Sequence, residues 1–198
     1  MIAPDPFAAL RRAVGPGAPS SDYDLTPALR PAGRALRGAA VLVAFEDAPG
    51  GLRLYLTKRS SHLKHHPGQI AFPGGKIDAG DVDAVAAALR EAEEEIGLPP
   101  GAVEVLGSLP AHETVTAFSV TPVLARIVRP FEPVAEAGEV DEVFTVPFSH
   151  IADPANYIVE SRYFRGVKRQ FFTVPYGPYY IWGATARILR ALAGRIGE

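Results

Sequence analysis

Hydrophobic residues cluster and alternate in two neighbouring stretches as they do in β-strands. Residues 38–45, GAAVLVAF, form a continuous apolar run, and residues 52–60, LRLYLTKRS, begin by alternating apolar with polar positions. The segment between them, EDAPGG, has the composition of a turn. The pattern therefore predicts a β-hairpin.

Further elements follow from composition and spacing. A short helix is predicted at Phe7–Val14, a long helix after the sequence FPGG, and another across residues 180–196, where apolar residues recur at helical spacing. Because strands and helices mix without a regular βαβ order, the predicted fold class is α+β. The other strands are predicted where β-branched and aromatic residues concentrate, at residues 102–109, 118–128, 141–148, 157–164 and 170–176.

The chain of 198 residues suits one large domain with its own core. We assign this domain to residues 38–198. Residues 1–37, rich in Pro, Gly, Ala and Arg, form an N-terminal arm. The arm either wraps the domain or mediates association, which keeps a homodimer open.

Composition excludes several classes of partner. Hydrophobic residues make up 47% and charged residues 21%, which is ordinary for a globular protein. A net charge of −2 gives no basic field, so neither nucleic acid nor a membrane is expected as a partner. No apolar run approaches the ~18 residues that cross a bilayer, and the first residues lack a signal-peptide pattern. We expect a cytoplasmic protein with a small-molecule substrate.

The chain contains no cysteine, which excludes disulfides, thiolate chemistry and zinc–thiolate sites. Any metal must therefore bind oxygen or imidazole ligands. Such ligands favour hard ions, Mg²⁺ or Mn²⁺.

Four glutamates lie close together on the predicted central helix. At about 100° per residue, Glu91, Glu94 and Glu95 share one face, whereas Glu93 points to solvent. Their repulsion is unfavourable unless a cation neutralises it. The cluster is therefore either a solvated helix face or a divalent-cation site. A separate stripe is expected to pack on the sheet: Val85, Leu89, Ala92 and Ile96.

The neighbouring residues favour the cation site. Asp81 is placed to cap the start of the helix. Arg90, four residues before Glu94, is placed to pin that carboxylate or to tie back to the loop of Asp81. Gly74 and Gly75 allow a backbone to approach the helix or a phosphate closely.

From Gly75 to Leu98 the sequence resembles the Nudix box. The box runs from a Gly, through an acid, to Arg-Glu, an apolar residue, any residue, Glu-Glu, any residue, Gly and an apolar residue. Residues 90–98, REAEEEIGL, fit its core. Asp81 stands where the box has Glu, and eight residues rather than seven separate it from Arg90.

This resemblance implies the Nudix fold, an α/β/α sandwich around a mixed β-sheet, and hydrolysis of nucleoside diphosphates linked to another moiety. It implies Mg²⁺ or Mn²⁺ held by Glu91, Glu94 and Glu95, with Asp81 and Arg90 in supporting positions. Divalent ions suit this reaction because they neutralise the pyrophosphate before water attacks phosphorus.

A basic segment precedes the box. Lys58, Arg59, Lys64 and three histidines lie within residues 58–66, without an acid. The segment either balances the acidic helix or binds a second anionic group of the substrate. With FPGG, it resembles the signature of the coenzyme A (CoA) pyrophosphatase branch, although Tyr55 replaces a Leu and Lys64 an Arg. The positions in register are Leu56-Thr57, Arg59-Ser60, Gly68 and Phe72-Pro73-Gly74-Gly75.

The second resemblance covers about residues 38–192. It implies hydrolysis of CoA, and of oxidised CoA or acyl-CoA, to 3′,5′-ADP and 4′-phosphopantetheine. Substrate-binding residues would be Arg59, Lys64, Gly74 and Gly75, and the 3′-phosphate would account for the cations near Arg59 and Lys64. Two alternatives stay open: a Nudix pyrophosphatase for NADH or ADP-ribose, and a catalytically inactive Nudix-fold ligand sensor.

Glu94 and Glu139 are the candidate catalytic groups. Glu139 lies in an acidic loop before a predicted strand, where it is either solvated or faces the box as a general base. Trp182, Tyr179 and Tyr180 are expected to belong to the core rather than to an adenine-stacking platform.

Overall fold

The structure, a computed structural model, describes residues 5–164 and 166–197. The predicted helices and longer strands form, with bounds shifted by a few residues. The elements in chain order are α1 (Ala8–Ala13), β1 (Ser20–Ser21), β2 (Arg37–Ala48), β3 (Gly51–Arg59), β4 (Ile70–Ala71), β5 (Gly74–Lys76), α2 (Ala84–Ile96), β6 (Val103–Ser108), β7 (His112–Glu113), β8 (Phe118–Ile127), β9 (Val140–Pro147), α3 (Phe148–Ala152), β10 (Ile158–Phe164), β11 (Val167–Thr173) and α4 (Gly183–Ile196).

The main sheet is mixed and, within the described ranges, has nine strands. Its central path is β1-β7-β8-β2-β3-β4, with β5 beside β2, β6 beside β8 and β9 beside β3. Strand β2 runs parallel to β8 and antiparallel to β3, so the predicted hairpin is confirmed. The first half of β2 pairs with β5, which sets Val41 opposite Gly74. This pairing brings the FPGG sequence to the middle of the sheet.

Helices cover both faces of this sheet, as expected for an α+β fold of the Nudix type. Helix α2 packs over one face, where Leu42 and Ile96 are fully buried. Helices α1 and α4 pack on the other face, around Phe45 and Leu189. Successive side chains of a strand point to opposite faces. The apolar run in β2 is therefore buried on both sides.

The N-terminal arm packs across the domain. Phe7 and Leu10 are fully buried in the core beneath α4. Further along, Ser20 Oγ lies 2.9 Å from Nδ1 of the buried His112, and Asp22 Oδ1 lies 3.1 Å from its Nε2. These contacts hold β1 against β7. None of the helices in residues 5–164 and 166–197 is both long and apolar enough to cross a membrane.

Candidate active site

The FPGG turn lies directly against helix α2. The N–H of Gly74 donates to Glu95 Oε2 at 3.1 Å. At Gly74, where φ is +153°, a Cβ would overlap the backbone of Ala40 and Val41. At Gly75 a Cβ would overlap the Glu91 carboxylate. Gly74 is therefore required by the backbone of the sheet, whereas at Gly75 a larger residue would have to displace the Glu91 carboxylate.

Glu95 is a buried carboxylate, with a side chain only 5% exposed. Burial raises its pKa to about 7, while the Gly74 N–H and the Arg59 guanidinium lower it and the charges of Glu91 and Glu139 raise it. Arg59 Nη1 lies 3.9 Å from Glu95 Oε1. A buried carboxylate with one distant cation and acidic neighbours carries negative charge that is poorly compensated.

Asp83, not Asp81, caps helix α2: its side chain accepts the N–H of Ala86 at 2.8 Å. The prediction that Asp81 caps the helix is wrong, because Asp81 is directed to Arg90. Arg90 donates to both carboxylate oxygens of Asp81, at 3.0 and 2.9 Å, and to the carbonyl of Lys76 at 3.2 Å. These bonds lower the pKa of Asp81. The pair ties the loop before α2 to the helix.

Arg90 also holds two glutamates of the cluster. Its Nη1 donates to Glu91 Oε1 and to Glu94 Oε2, both at 3.1 Å. The Glu91 side chain is 16% exposed, and burial raises its pKa although Arg90 opposes the shift. The Glu94 side chain is 59% exposed, and Glu93 is exposed on another face of the helix. Glu91 and Glu95 are therefore the buried pair of acids in the cluster.

The remaining predicted site residues lie in two loops that meet at the end of β3. Glu139 is exposed in the turn before β9, where its carbonyl accepts the N–H of Ser60 at 2.8 Å. Its charge raises the pKa of both Glu91 and Glu95, so its carboxylate lies within electrostatic range of the acidic helix. Lys64 is exposed in the loop after β3. Arg59, at the end of β3, contacts a residue of the Nudix box, Glu95.

Comparison with known proteins places this chain in a family. The sequence model of the NUDIX domain matches residues 36–165. Nudix hydrolase NudL of Escherichia coli K12 is 45% identical over 163 residues, which is 81% of this chain and 83% of NudL. The NudL of Enterobacter sp. strain 638 is 44% identical over the same length and shares. This chain belongs to the NUDIX family.

A solved structure supports the fold. The MutT/nudix family protein of Enterococcus faecalis superimposes with a TM-score of 0.55 over 85% of this chain and 64% of its own. Its sequence is 16% identical to this one, so the likeness concerns the fold alone. Together with the family match, it confirms the predicted α+β Nudix fold. The protein is accordingly a Nudix hydrolase, an enzyme that cleaves pyrophosphate bonds.

The residues of the site fit the divalent cation that Nudix hydrolases generally use. In the described part of the chain, no three His, Asp or Glu side chains are already gathered at the spacing of a metal site. The donors are nevertheless all carboxylate oxygens, which Mg²⁺ and Mn²⁺ prefer. Burial raises the pKa of both Glu91 and Glu95, and additional positive charge would favour their ionised forms. A hard dication would supply that charge.

Three aromatic residues near α4 are half-buried, and two of them have a different position from the one expected. Tyr179 packs against the core, with its ring centroid 3.6 Å from that of Phe144. Tyr180 and Trp182 are only half-buried and line a cavity of about 330 Å³ together with Tyr179 and Lys58. The expectation that all three are core residues is therefore wrong for Tyr180 and Trp182. Sequence could not show this, because the cavity joins β3 to a segment more than a hundred residues later.

Proposed function

We propose that this Nudix hydrolase cleaves the pyrophosphate of CoA, and of oxidised CoA or acyl-CoA, to 3′,5′-ADP and 4′-phosphopantetheine. The observation that carries the proposal is the contact between Arg59 and Glu95, at 3.9 Å. Arg59 belongs to the segment that resembles the CoA pyrophosphatase signature, and Glu95 belongs to the Nudix box. The two motifs meet at one buried carboxylate, as parts of a single substrate site would.

We assign the cation to Glu91 and Glu95, with Glu94 completing the set of carboxylates. Bound there, Mg²⁺ or Mn²⁺ would neutralise the substrate pyrophosphate. Arg90 orients Glu91 and Glu94 through its two bonds, and its pairing with Asp81 holds it in place. Gly75 leaves room for the Glu91 carboxylate. The box thus presents its acids from a rigid helix end.

The remaining groups act on the substrate and on water. The Arg59 guanidinium binds the pyrophosphate oxygens, and the exposed Lys64 adds positive charge at the mouth of the site. Glu139 takes a proton from the attacking water, whose oxygen bonds to phosphorus as the bridging P–O bond breaks. Glu94, exposed on the helix, is the second candidate for this proton transfer.

The test is kcat/KM for CoA, dephospho-CoA, NADH and ADP-ribose with Mg²⁺ and with Mn²⁺. CoA should be the preferred substrate. Arg59→Ala should reduce kcat/KM for CoA and dephospho-CoA by the same factor, about ten- to a hundredfold, because both contain the pyrophosphate that it binds. Preference for NADH or ADP-ribose would instead assign the enzyme to another Nudix branch. Tight binding without turnover of any substrate would indicate a ligand sensor.

A further inference from the structure

The cavity that contains Lys58 and Trp182 lies next to the proposed pyrophosphate site. Lys58 and Arg59 are successive residues of β3, at the point where its pairing with β9 shifts register. Arg59 reaches Glu95 on the α2 side, whereas Lys58 lines the cavity on the α4 side. Gly68 also lines the cavity, and its N–H bonds to the Arg59 carbonyl at 3.0 Å. Both sites therefore lie at the same end of β3.

The walls of the cavity include aromatic rings that contact side chains of β10 and β11. The hydroxyl of Tyr180 donates to Glu160 at 2.9 Å. The guanidinium of Arg162 lies 5.5 Å from the Tyr180 ring, 5.6 Å from the Trp182 ring and 5.7 Å from the Phe171 ring. Strands β10 and β11 thus brace these rings from outside the cavity. Flat aromatic walls suit a flat aromatic ligand.

Lys58 and Glu142 are charged residues that line the cavity. Lys58 stands opposite Glu142 in the register of β3 and β9, and both are half-buried. Glu142 accepts the Tyr179 hydroxyl through Oε1, which leaves Oε2 able to accept another donor. An exocyclic amino group of a nucleobase is such a donor. The Lys58 ammonium suits a phosphate on the attached ribose.

We propose that this cavity binds the purine of the substrate, stacked against Tyr180 and Trp182, and that Lys58 binds the phosphate on its ribose. The inference rests on the proposed function, since it assigns one half of CoA to this cavity. It makes Lys58, rather than the exposed Lys64, the residue that distinguishes CoA from dephospho-CoA. The pantetheine half of CoA would then extend from the pyrophosphate away from this cavity.

The ligand test uses fluorescence, because Trp182 is the single tryptophan of the chain. Adenosine 3′,5′-bisphosphate should quench its emission saturably, and 4′-phosphopantetheine should leave it unchanged. Calorimetric titration measures the same affinities independently of Trp182 fluorescence. Quenching by phosphopantetheine alone, or by neither compound, would overturn the assignment.

Charge variants test the role of Lys58. Lys58→Ala should weaken binding of the bisphosphate by about ten- to a hundredfold. Lys168→Ala removes an equivalent exposed charge from β11 and should leave that affinity unchanged. Melting curves establish that each variant is folded. If Lys64→Ala caused the loss and Lys58→Ala did not, the site would be wrongly placed.

Hydrolysis of CoA, measured on the same wild-type sample, separates this inference from the proposed function. CoA cleavage without any response of Trp182 to the bisphosphate would overturn the purine site alone. A saturable response to the bisphosphate without CoA cleavage would support the purine site and overturn the proposed activity.

Discussion

The backbone N–H of Gly74 donates a hydrogen bond to the buried Glu95 carboxylate at 3.1 Å. This bond joins the glycine turn after β4 to the acidic face of α2. It supplies a backbone donor to a carboxylate whose negative charge has few other partners. Arg59 lies 3.9 Å away, and Glu91 and Glu139 are acidic neighbours. The turn thus orients one acid of the site while Arg90 orients another.

Substitution of single glutamates should separate the functional face of α2 from its solvent face. Glu91→Gln and Glu95→Gln should each reduce kcat by at least ~10²-fold, because each removes charge that holds the cation at the developing transition state. Glu93→Gln is the matched control, since this side chain is exposed on another face. Equal losses at Glu93 and Glu91 would contradict the assignment of faces.

Divalent ions should stabilise the folded protein through the same acids. Mg²⁺ that binds only the folded state adds about 1.4 kcal/mol to the free energy of unfolding for each tenfold rise in concentration above its Kd. Tm should therefore rise with Mg²⁺ concentration in the wild type. In the double variant Glu91→Gln/Glu95→Gln the rise should disappear; an undiminished rise would place the ion elsewhere.

Stability without metal should fall as pH rises. The pKa of Glu95 is about 7 in the folded protein and 4.5 ordinarily. The folded state therefore binds more protons between these values, so the stabilising contribution is complete below about pH 4.5 and is lost as pH rises through 7. Urea unfolding at several pH values, with a chelator present to remove metal, measures this change in the free energy of unfolding. Glu95→Gln should flatten the dependence, and an unchanged slope would assign it to other groups.

The two glycines of the turn should respond differently to alanine. Gly75→Ala pushes the Glu91 carboxylate aside, so it should lower kcat/KM by about 10²-fold while the protein still folds. Gly74→Ala meets backbone at a positive φ and should destabilise the fold by about 1–3 kcal/mol.

Gly80→Ala is the control for both, because a Cβ there meets open space. Activity assays and urea unfolding on the three variants check these expectations. If Gly75→Ala were as active as Gly80→Ala, the space at Gly75 would have no catalytic importance.

Local sequence was sufficient to predict the longer strands and three of the helices, including α2. Helix α2 is specified by the helical spacing of its apolar residues. It ends at Gly97, where φ is +68°, because glycine adopts this left-handed conformation readily. The prediction that Glu91, Glu94 and Glu95 share a face is one of helical geometry. Arg90 contacts both Glu91 and Glu94, but Glu94 is as exposed a residue as Glu93, so exposure distinguishes only Glu91 and Glu95 from Glu93. The short strands β4, β5 and β7 were not predictable, because two or three residues carry no periodic pattern.

The capping of α2 shows how local patterns can be ambiguous. Asp81 and Asp83 both lie near the start of the helix, and both residue types suit a cap. Only the folded position of Arg90 decides that Asp81 is used for the ion pair and Asp83 for the cap. A side chain nine residues away thus determines the role of an acid that sequence alone leaves open.

Patterns along the chain therefore specify the helix of the Nudix box, with Glu91, Glu94 and Glu95 on one face, a glycine turn before it and a basic segment before that. The tertiary structure decided which of these groups meet. Arg59 contacts Glu95 because β3 ends beside α2, and Lys58 lines the cavity on the α4 side. Helical and strand periodicities are local and can be read along the chain. The pairing of distant segments depends on sheet order and register, which burial of the whole core specifies.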